Sequence, residues 1–207
     1  YFYPLRFFFC EGPQSAIPLV ALQYHAVELR IYWGPDAGNY NVEAYTNYYY
    51  LDNEERGIMT SRTHDILITQ VQKSIPSSEK VQELTFNHPI KYIACSNTNS
   101  ESTLTAIDNK IKLSINGTDI NSYKWAKPHF VDITSYYHTN FVTSPDFFLH
   151  CFCLNTSSLQ PTGSLNFSRL DSVKIHSQNK DIIDSIYGVN YNILRVNNGM
   201  AGLMYAN

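Results

Sequence analysis

The chain has 207 residues, of which 43% are apolar, 16% charged and 14% aromatic, with 16 Tyr and a formal net charge of −3. That length suits one all-β domain that buries roughly 70% of its unfolded surface without disulfide or metal staples. The net charge and the lack of a basic cluster argue against a direct nucleic-acid partner, and no run of ~20 apolar residues could be inserted in a bilayer. Low charge with many Tyr suits a surface that partly becomes interface, although aromatics also favour strands for their own sake. The chain opens on Tyr1-Phe2-Tyr3-Pro4, with neither an initiator Met nor a positive leader, which suggests a fragment of a longer protein.

Residues 3–9 read as a short aromatic strand closed at Glu11-Gly12-Pro13. Residues 21–33 read as a long strand, with Val27, Leu29, Ile31 and Trp33 on one face and Glu28, Arg30 and Tyr32 on the other. The apolar phase flips before His25, which suggests a bulge there or burial on both sides. Residues 34–39 form a loop and residues 45–51 a Tyr-rich strand. Asp52 followed by Glu55 predicts a capping box and a short helix.

Residues 64–73 read as a strand whose Ile66-Leu67-Ile68 centre implies no exposed face. Residues 84–86 and 90–96 continue the strand pattern on either side of His88-Pro89. The polar residues 97–103 read as a loop whose deletion should spare the fold. Residues 110–116 alternate, with Ile111, Leu113 and Ile115 inward and Lys110, Lys112 and Ser114 outward, and end at the hairpin signal Asn116-Gly117. One or two helical turns fit residues 128–138. Residues 147–154, 172–176, 186–196 and 200–205 supply the last strands. Eight or more strands with little helix imply a two-sheet sandwich or a jelly roll.

Motifs that carry chemistry are scarce. Nucleophile elbows, phosphate-cradling Gly loops, zinc-finger Cys pairs and calcium loops are all absent from the sequence. The seven His, at 25, 64, 88, 129, 138, 150 and 176, are scattered and form no His-x-His pair. Glu54-Glu55 belongs to the helix cap, and Asp181 with Asp184 flanks a turn. Cys151 and Cys153 share one face of an apolar strand, where neighbours at that spacing rarely bridge, so all four Cys read as reduced thiols. Asn116, Asn155 and Asn166 head glycosylation sequons, a weak signal in an Asn-rich chain.

The last third is the most distinctive part. Gln160-Pro161-Thr162-Gly163 suits a turn, with Pro161 fixing φ and Gly163 free to take a positive one. Asn166, Phe167, Ser168, Arg169 and Asp171 follow, with Arg169 and Asp171 placed for fixed hydrogen bonds or an ion pair at a corner between sheets. In the next long strand Tyr187, Val189, Tyr191 and Ile193 give one apolar face, with Gly188, Asn190 and Asn192 opposite and Arg195 beyond. Gly199 and Gly202 would permit close backbone approach. Earlier pieces stand in a matching order: Leu5-Arg6-Phe7-Phe8-Phe9, residues 16–29, Asn53-Glu54-Glu55-Arg56, residues 65–72, residues 86–91 and Tyr137-His138-Thr139-Asn140.

This ordered series resembles the major capsid proteins of nucleocytoplasmic large DNA viruses, over essentially the whole chain. The resemblance implies an all-β, eight-stranded jelly-roll sandwich with long loops and one or two short helices. It implies that residues 1–207 form a single domain, the second of two jelly rolls, with the first upstream. The implied role is structural, without enzymatic activity or cofactor. Implied partners are two further copies in a homotrimer, neighbouring capsomers and minor capsid proteins, with an inner viral membrane nearby but not entered. The implied location is the icosahedral shell of a virion assembled in the host cytoplasm. Residues 40–51 and 97–124 are then expected to be exposed or intersubunit elements. Two other readings stay open: a carbohydrate-binding β-sandwich using Trp33, Tyr48, Tyr49 and Trp125, and a metal-dependent jelly-roll enzyme.

Overall fold

The computed structural model describes all residues except 1, 11, 36, 37, 39, 40, 97–101, 141–143, 159, 206 and 207. It divides into two compact units, Ile68–Asn192 and Tyr1–Leu67 with Ile193–Ala206. The strands in chain order are β1 (His64–Ser74), β2 (Val81–Glu83), β3 (Pro89–Ser96), β4 (Lys110–Ile115), β5 (Thr118–Asp119), β6 (Lys124–Trp125), β7 (Phe147–Cys151), β8 (Leu165–Asn166), β9 (Val173–Ser177), β10 (Ile186–Asn197) and β11 (Met200–Leu203). Eight of them have three or more residues, the number of strands the resemblance implies.

These strands make two antiparallel sheets. One runs β1-β10-β3-β7, with β8 beside β3 and β11 beside β10; the other runs β2-β9-β4-β5, with β6 beside β4. Facing sheets must each bury one face, so inward residues are apolar at alternate positions. Ile111 and Leu113 of β4 stand opposite Ser177 and Ile175 of β9, and Ile115 opposite Val173. From the other sheet Ile90, Ile93, Cys95, Phe148 and Ile186 enter the same core cluster, joined by Phe130. The β4–β5 hairpin closes through Asn116 and Gly117, at φ 49° and 80°, the two positive angles a type I′ turn requires.

Several expectations needed correction. The strand placed at residues 84–86 is displaced to β2, and Leu84 and Phe86 fill the core from the segment after it. β1 does have an exposed face: it lies at the end of its sheet, and Leu67 and Val71 point outward while Ile68 is buried. Residues 126–138 are more helical than expected. A wide helical segment, Ala126–Ile133, closes with Thr134 N–H donating to His129 O and continues into an α-helix, Thr134–His138. Of the polar loop 97–103, residues 97–101 lie outside the described set, but Ser102 and Thr103 are buried. The backbone N–H groups of Thr103 and Leu104 donate to the buried Asp184 carboxylate at 2.8 and 3.0 Å, so deleting through Thr103 removes core structure. The 97–124 excursion likewise contains Leu104, Ile111 and Leu113, all fully buried.

β10 presents its polar row inward. Ile186, Gly188, Asn190 and Asn192 are buried while Tyr187 is exposed; the register against β3 shifts between Val189 and Asn190, where Lys91 of β3 is passed over. Gly188 is needed there: a Cβ would lie 2.9 Å from the Phe86 ring. The buried amides are paired, with Asn192 donating to Gln70 at 2.8 Å and Gln72 donating to Asn190 at 2.9 Å.

In the other unit Asp52 and Glu55 form the expected reciprocal cap of a helix at Asn53–Ser61. Its small apolar cluster is Ala21, Leu22 and Val196, backed by Ile17 and Ala201. Residues 22–33 and 45–51 are not strands here, nor are the described residues of 3–7. Their alternation is real, but among the described residues of this unit no neighbour completes a backbone ladder, and Val27, Leu29, Ile31 and Trp33 are all exposed. Gly199, at φ 80°, packs where a Cβ would meet the Tyr24 ring at 2.6 Å, whereas a Cβ on Gly202 meets nothing within 4 Å.

Replacing Gly188 with Ala should destabilise the fold by about 1–3 kcal/mol through overpacking against Phe86. The check is thermal unfolding of Gly188→Ala beside Gly202→Ala, which should unfold close to wild type.

Candidate functional site

The motif of the last third builds a corner rather than a catalytic cleft. Gly163 adopts φ 137°, and a Cβ there would lie 2.8 Å from the Phe152 carbonyl oxygen, so only glycine fits. Thr162 fastens the turn in both directions: its hydroxyl accepts from Asn155 N–H at 3.0 Å and donates to Asn155 O at 3.1 Å. Gln160 and Pro161 are exposed beside it. Leu165 and Asn166 pair with Ile90 and Pro89, and the Asn166 side chain accepts from Ser168 N–H at 3.1 Å to cap the next turn. Phe167 enters the core between Phe86 and Phe152, with ring centres 6.0 and 5.8 Å away. The Ser168 hydroxyl accepts from His88 N–H at 2.8 Å, which holds His88 at a positive φ of 69°.

Sequence reasoning gave Asn116 only a turn and a sequon. In the structure its side-chain oxygen accepts from both Asp171 N–H (3.0 Å) and Ser172 N–H (3.1 Å), tying the β4–β5 hairpin to the motif. Arg169 and Asp171 form no ion pair with each other; both side chains are exposed. An ion pair that the sequence did not suggest occurs in the other unit, where Arg195 grips Asp65 through two hydrogen bonds of 2.7 Å. That grip holds the Asp65 carboxyl below its ordinary range. Asn190 and Asn192 belong to the buried amide row, and Tyr191 is buried beside Lys91. The motif residues therefore do not converge on one site.

A polar groove of about 370 Å³ lies beside the corner, lined by Glu83, Thr85, Asn87, Ser168, Asp171 and Ser172 among others. It lacks the enclosed apolar body usual for small-molecule sites. Among the described residues no three His, Cys, Asp or Glu converge on a position for a metal ion, and no helix is long and apolar enough to cross a membrane. The Asp181–Asp184 pair is structural, since Asp184 receives the two backbone bonds and Asp181 O accepts from the Thr103 hydroxyl at 2.6 Å. Of the sequon residues, Asn155 and Asn166 spend their side-chain oxygens on local turns at Ser157 and Ser168, and Asn116 is exposed at its hairpin tip.

Residues 55–202 match the family described as large eukaryotic DNA virus major capsid protein, and residues 1–42 match the major capsid protein N-terminus. The chain belongs to the family of major capsid proteins of large eukaryotic DNA viruses. It is 30% identical to the major capsid protein of Pyramimonas orientalis virus, over 100% of this chain and 61% of that protein. To the major capsid protein of Paramecium bursaria Chlorella virus 1 it is 28% identical, over 100% of this chain and 67% of the relative. A crystal structure of PBCV-1 VP54, fitted into a reconstruction of the virophage Sputnik, matches with TM-score 0.72 and 26% identity over 99% of this chain and 70% of that one. The two-sheet fold is thus the jelly roll of that capsid protein. The capsid-family chain spans about three fifths of the first of these relatives.

Two outcomes follow. Asn116→Ala should cost about 1–2 kcal/mol, from one lost acceptor and a positive φ, while Asn116→Asp, which keeps the oxygen, should cost much less in urea unfolding. The second concerns His150, whose ring is enclosed by Phe130 and Phe152, though its residue retains some exposed surface. Burial first, then the neighbouring His129, His138 and Lys124, push its pKa down to about 4. The unfolded chain takes that proton more readily, so stability should fall as pH drops from about 6.5 to 4 and level off below. The loss is at most about 3 kcal/mol, and less by whatever solvent contact the ring keeps. His150→Phe should flatten that limb of the stability curve.

Proposed function

We propose that residues 55–202 are the second jelly-roll half of a shell-building capsid protein that works by packing and not by catalysis. Its place is the virion shell, assembled in the host cytoplasm, with a first jelly roll upstream. Three copies associate into a pseudo-hexagonal capsomer, a closed symmetric contact. Neighbouring capsomers and minor capsid proteins complete the surroundings, without direct nucleic-acid contact or membrane insertion.

The observation that carries this reading is the exposed apolar run of residues 24–50. Val27, Leu29, Ile31, Trp33, Tyr45, Tyr48, Tyr49 and Tyr50 are all exposed, Trp33 at 57% and Tyr50 at 94%. So many large apolar side chains left exposed in one segment favour an interface. The relatives, of which this chain spans only part, have further sequence to cover it, and the match of residues 1–42 to the N-terminal family description supports assigning the run to the first jelly roll's neighbourhood.

The test is native mass and electron microscopy of the protein with its upstream half restored. Trimers with a hexagonal outline are the expected result. A stable monomer under all conditions, including with a chaperone, overturns it. Micromolar glycan binding by that monomer, lost on substituting Trp33, Tyr48, Tyr49 or Trp125, would transfer the exposed aromatics to sugar recognition.

A further inference from the structure

The pair Asn-Gly occurs twice in the sequence, at 116–117 and at 198–199, and each pair forms the two-residue loop of a hairpin. The two backbones are near twins. Asn116 and Gly117 have φ 49° and 80°, and Asn198 and Gly199 have 50° and 80°. Both asparagines are exposed. What differs is the hold on the side chain. Asn116 Oδ1 accepts from the N–H groups of Asp171 and Ser172, and its own N–H donates to Ser172 O at 2.9 Å. Among the described residues the Asn198 carboxamide has no hydrogen-bond partner. The bond from Tyr24 N–H to Gly199 O, at 3.0 Å, lies one peptide group beyond that side chain.

An asparagine before glycine is chemically fragile, because glycine has no Cβ to shield the side chain from the following backbone nitrogen. We infer that Asn198 is a site of spontaneous deamidation, giving aspartate and isoaspartate, and that Asn116 in the matching turn is protected. Hydroxide takes the proton of the Gly199 amide, and that nitrogen attacks Asn198 Cγ. A C–N bond forms, the carboxamide C–N bond breaks, and ammonia leaves with a proton from water, which restores the hydroxide. Water then opens the succinimide ring at one of its two carbonyls. Opening at the former side-chain carbonyl gives aspartate, and opening at the former main-chain carbonyl gives isoaspartate. One carboxamide and one water give one carboxylate and one ammonium ion, so solvent is the only co-reactant.

In a type I′ turn the glycine nitrogen points away from Cγ, so the peptide between the two residues must rotate before attack. At 198 that rotation breaks no side-chain hydrogen bond. At 116 it pulls the carboxamide off two donors and draws the hairpin away from residues 171 and 172. Isoaspartate adds one carbon to the main chain, which a two-residue loop joining Asn197 to its partner Met200 does not accommodate. The next pair, Val196 and Ala201, packs with Ala21 and Leu22, and Ala201 N–H donates to His25 Nδ1 at 3.0 Å. The modification therefore loosens residues 21–25, where the exposed apolar run begins. In a virion shell it would accumulate with age; that point rests on the proposed function, but the chemistry does not.

The whole chain is aged in mildly alkaline buffer, folded and in urea, then digested with trypsin and sequenced by mass spectrometry. Peptides 196–207 and 113–124 each hold one Asn-Gly pair. In urea both should gain one mass unit at similar rates. In the folded chain Asn198 should react at least about tenfold faster than Asn116, the factor set by two hydrogen bonds. Its rate should rise with pH, since the attacking nitrogen must first lose a proton. Hydrogen exchange at the Tyr24 and Ala201 amides should quicken in the aged chain. Asn198→Gly, which a type I′ turn accepts, should abolish both changes. Equal rates at 198 and 116 in the folded chain, or a faster rate at 116, overturn the inference. Unchanged exchange at Tyr24 and Ala201 in the deamidated chain overturns the loosening. Trimer formation reads the proposed function separately, so failure of either result leaves the other standing.

Discussion

The sandwich depends on closing two sheets over one apolar layer. Ile90, Ile93, Ile111, Ile175 and Ile186 lose all contact with solvent there. Each such side chain contributes about 1.5–3 kcal/mol on burial, against backbone ordering of about 1–2 kcal/mol per residue, so the layer has to be continuous to prevail. β9 supplies it from one side with a clean two-residue period, and β4 with Ile111 and Leu113, although Ser114, expected outward, is buried too. β3 and β7 supply it from the other, where Ala94 faces Leu149 and Cys95 faces Phe148 in register. Phe130, delivered by a helical segment rather than a strand, fills the space next to Phe148, with ring centres 5.2 Å apart.

Buried polar groups then decide how the connections run. Asn109 is fully buried and divides its amide between Thr103 O, Ser177 Oγ and Asn179 N–H, at 2.9, 2.9 and 3.1 Å. Asp184 plays a similar part for Thr103 and Leu104, and the Gln70–Asn192 and Gln72–Asn190 pairs do so between β1 and β10. Leaving any of these unsatisfied costs about 1–3 kcal/mol, which makes alternative loop paths expensive. The same logic explains the motif corner. Its hydrogen-bonding side chains, Asn116, Thr162, Asn166 and Ser168, are spent on backbone groups and hold a shape.

That economy bears on function. The polar residues of the corner build geometry, and the large exposed apolar area lies in the other unit, between Tyr24 and Tyr50. The hydrogen-bonded corner and the exposed apolar side chains thus lie in different units of the chain. Asp171, which the frame leaves exposed, adds charge at the polar groove and not in the core, and Arg169 is exposed as well.

Local rules were legible in the sequence wherever a short stretch satisfies itself. The Asp52–Glu55 cap, the Asn116-Gly117 turn, the alternation of β4 and the positive φ of Gly163 each depend on a few neighbouring residues. The family resemblance was legible too, because an ordered series of such stretches survives where single motifs do not. Tertiary structure alone decided which alternating segments become strands, since a ladder needs a partner: residues 110–115 have β9, and residues 22–33 have none among the described residues of their unit. It also decided that Asn190 and Asn192 of β10 are buried, because Gln72 and Gln70 of the neighbouring β1 satisfy their amides, a pairing that hydrophobicity does not read. Sequence distance likewise hid the tie of Asn116 to Asp171 and that of Asp184 to Thr103, whose partners meet only after the sheets have closed.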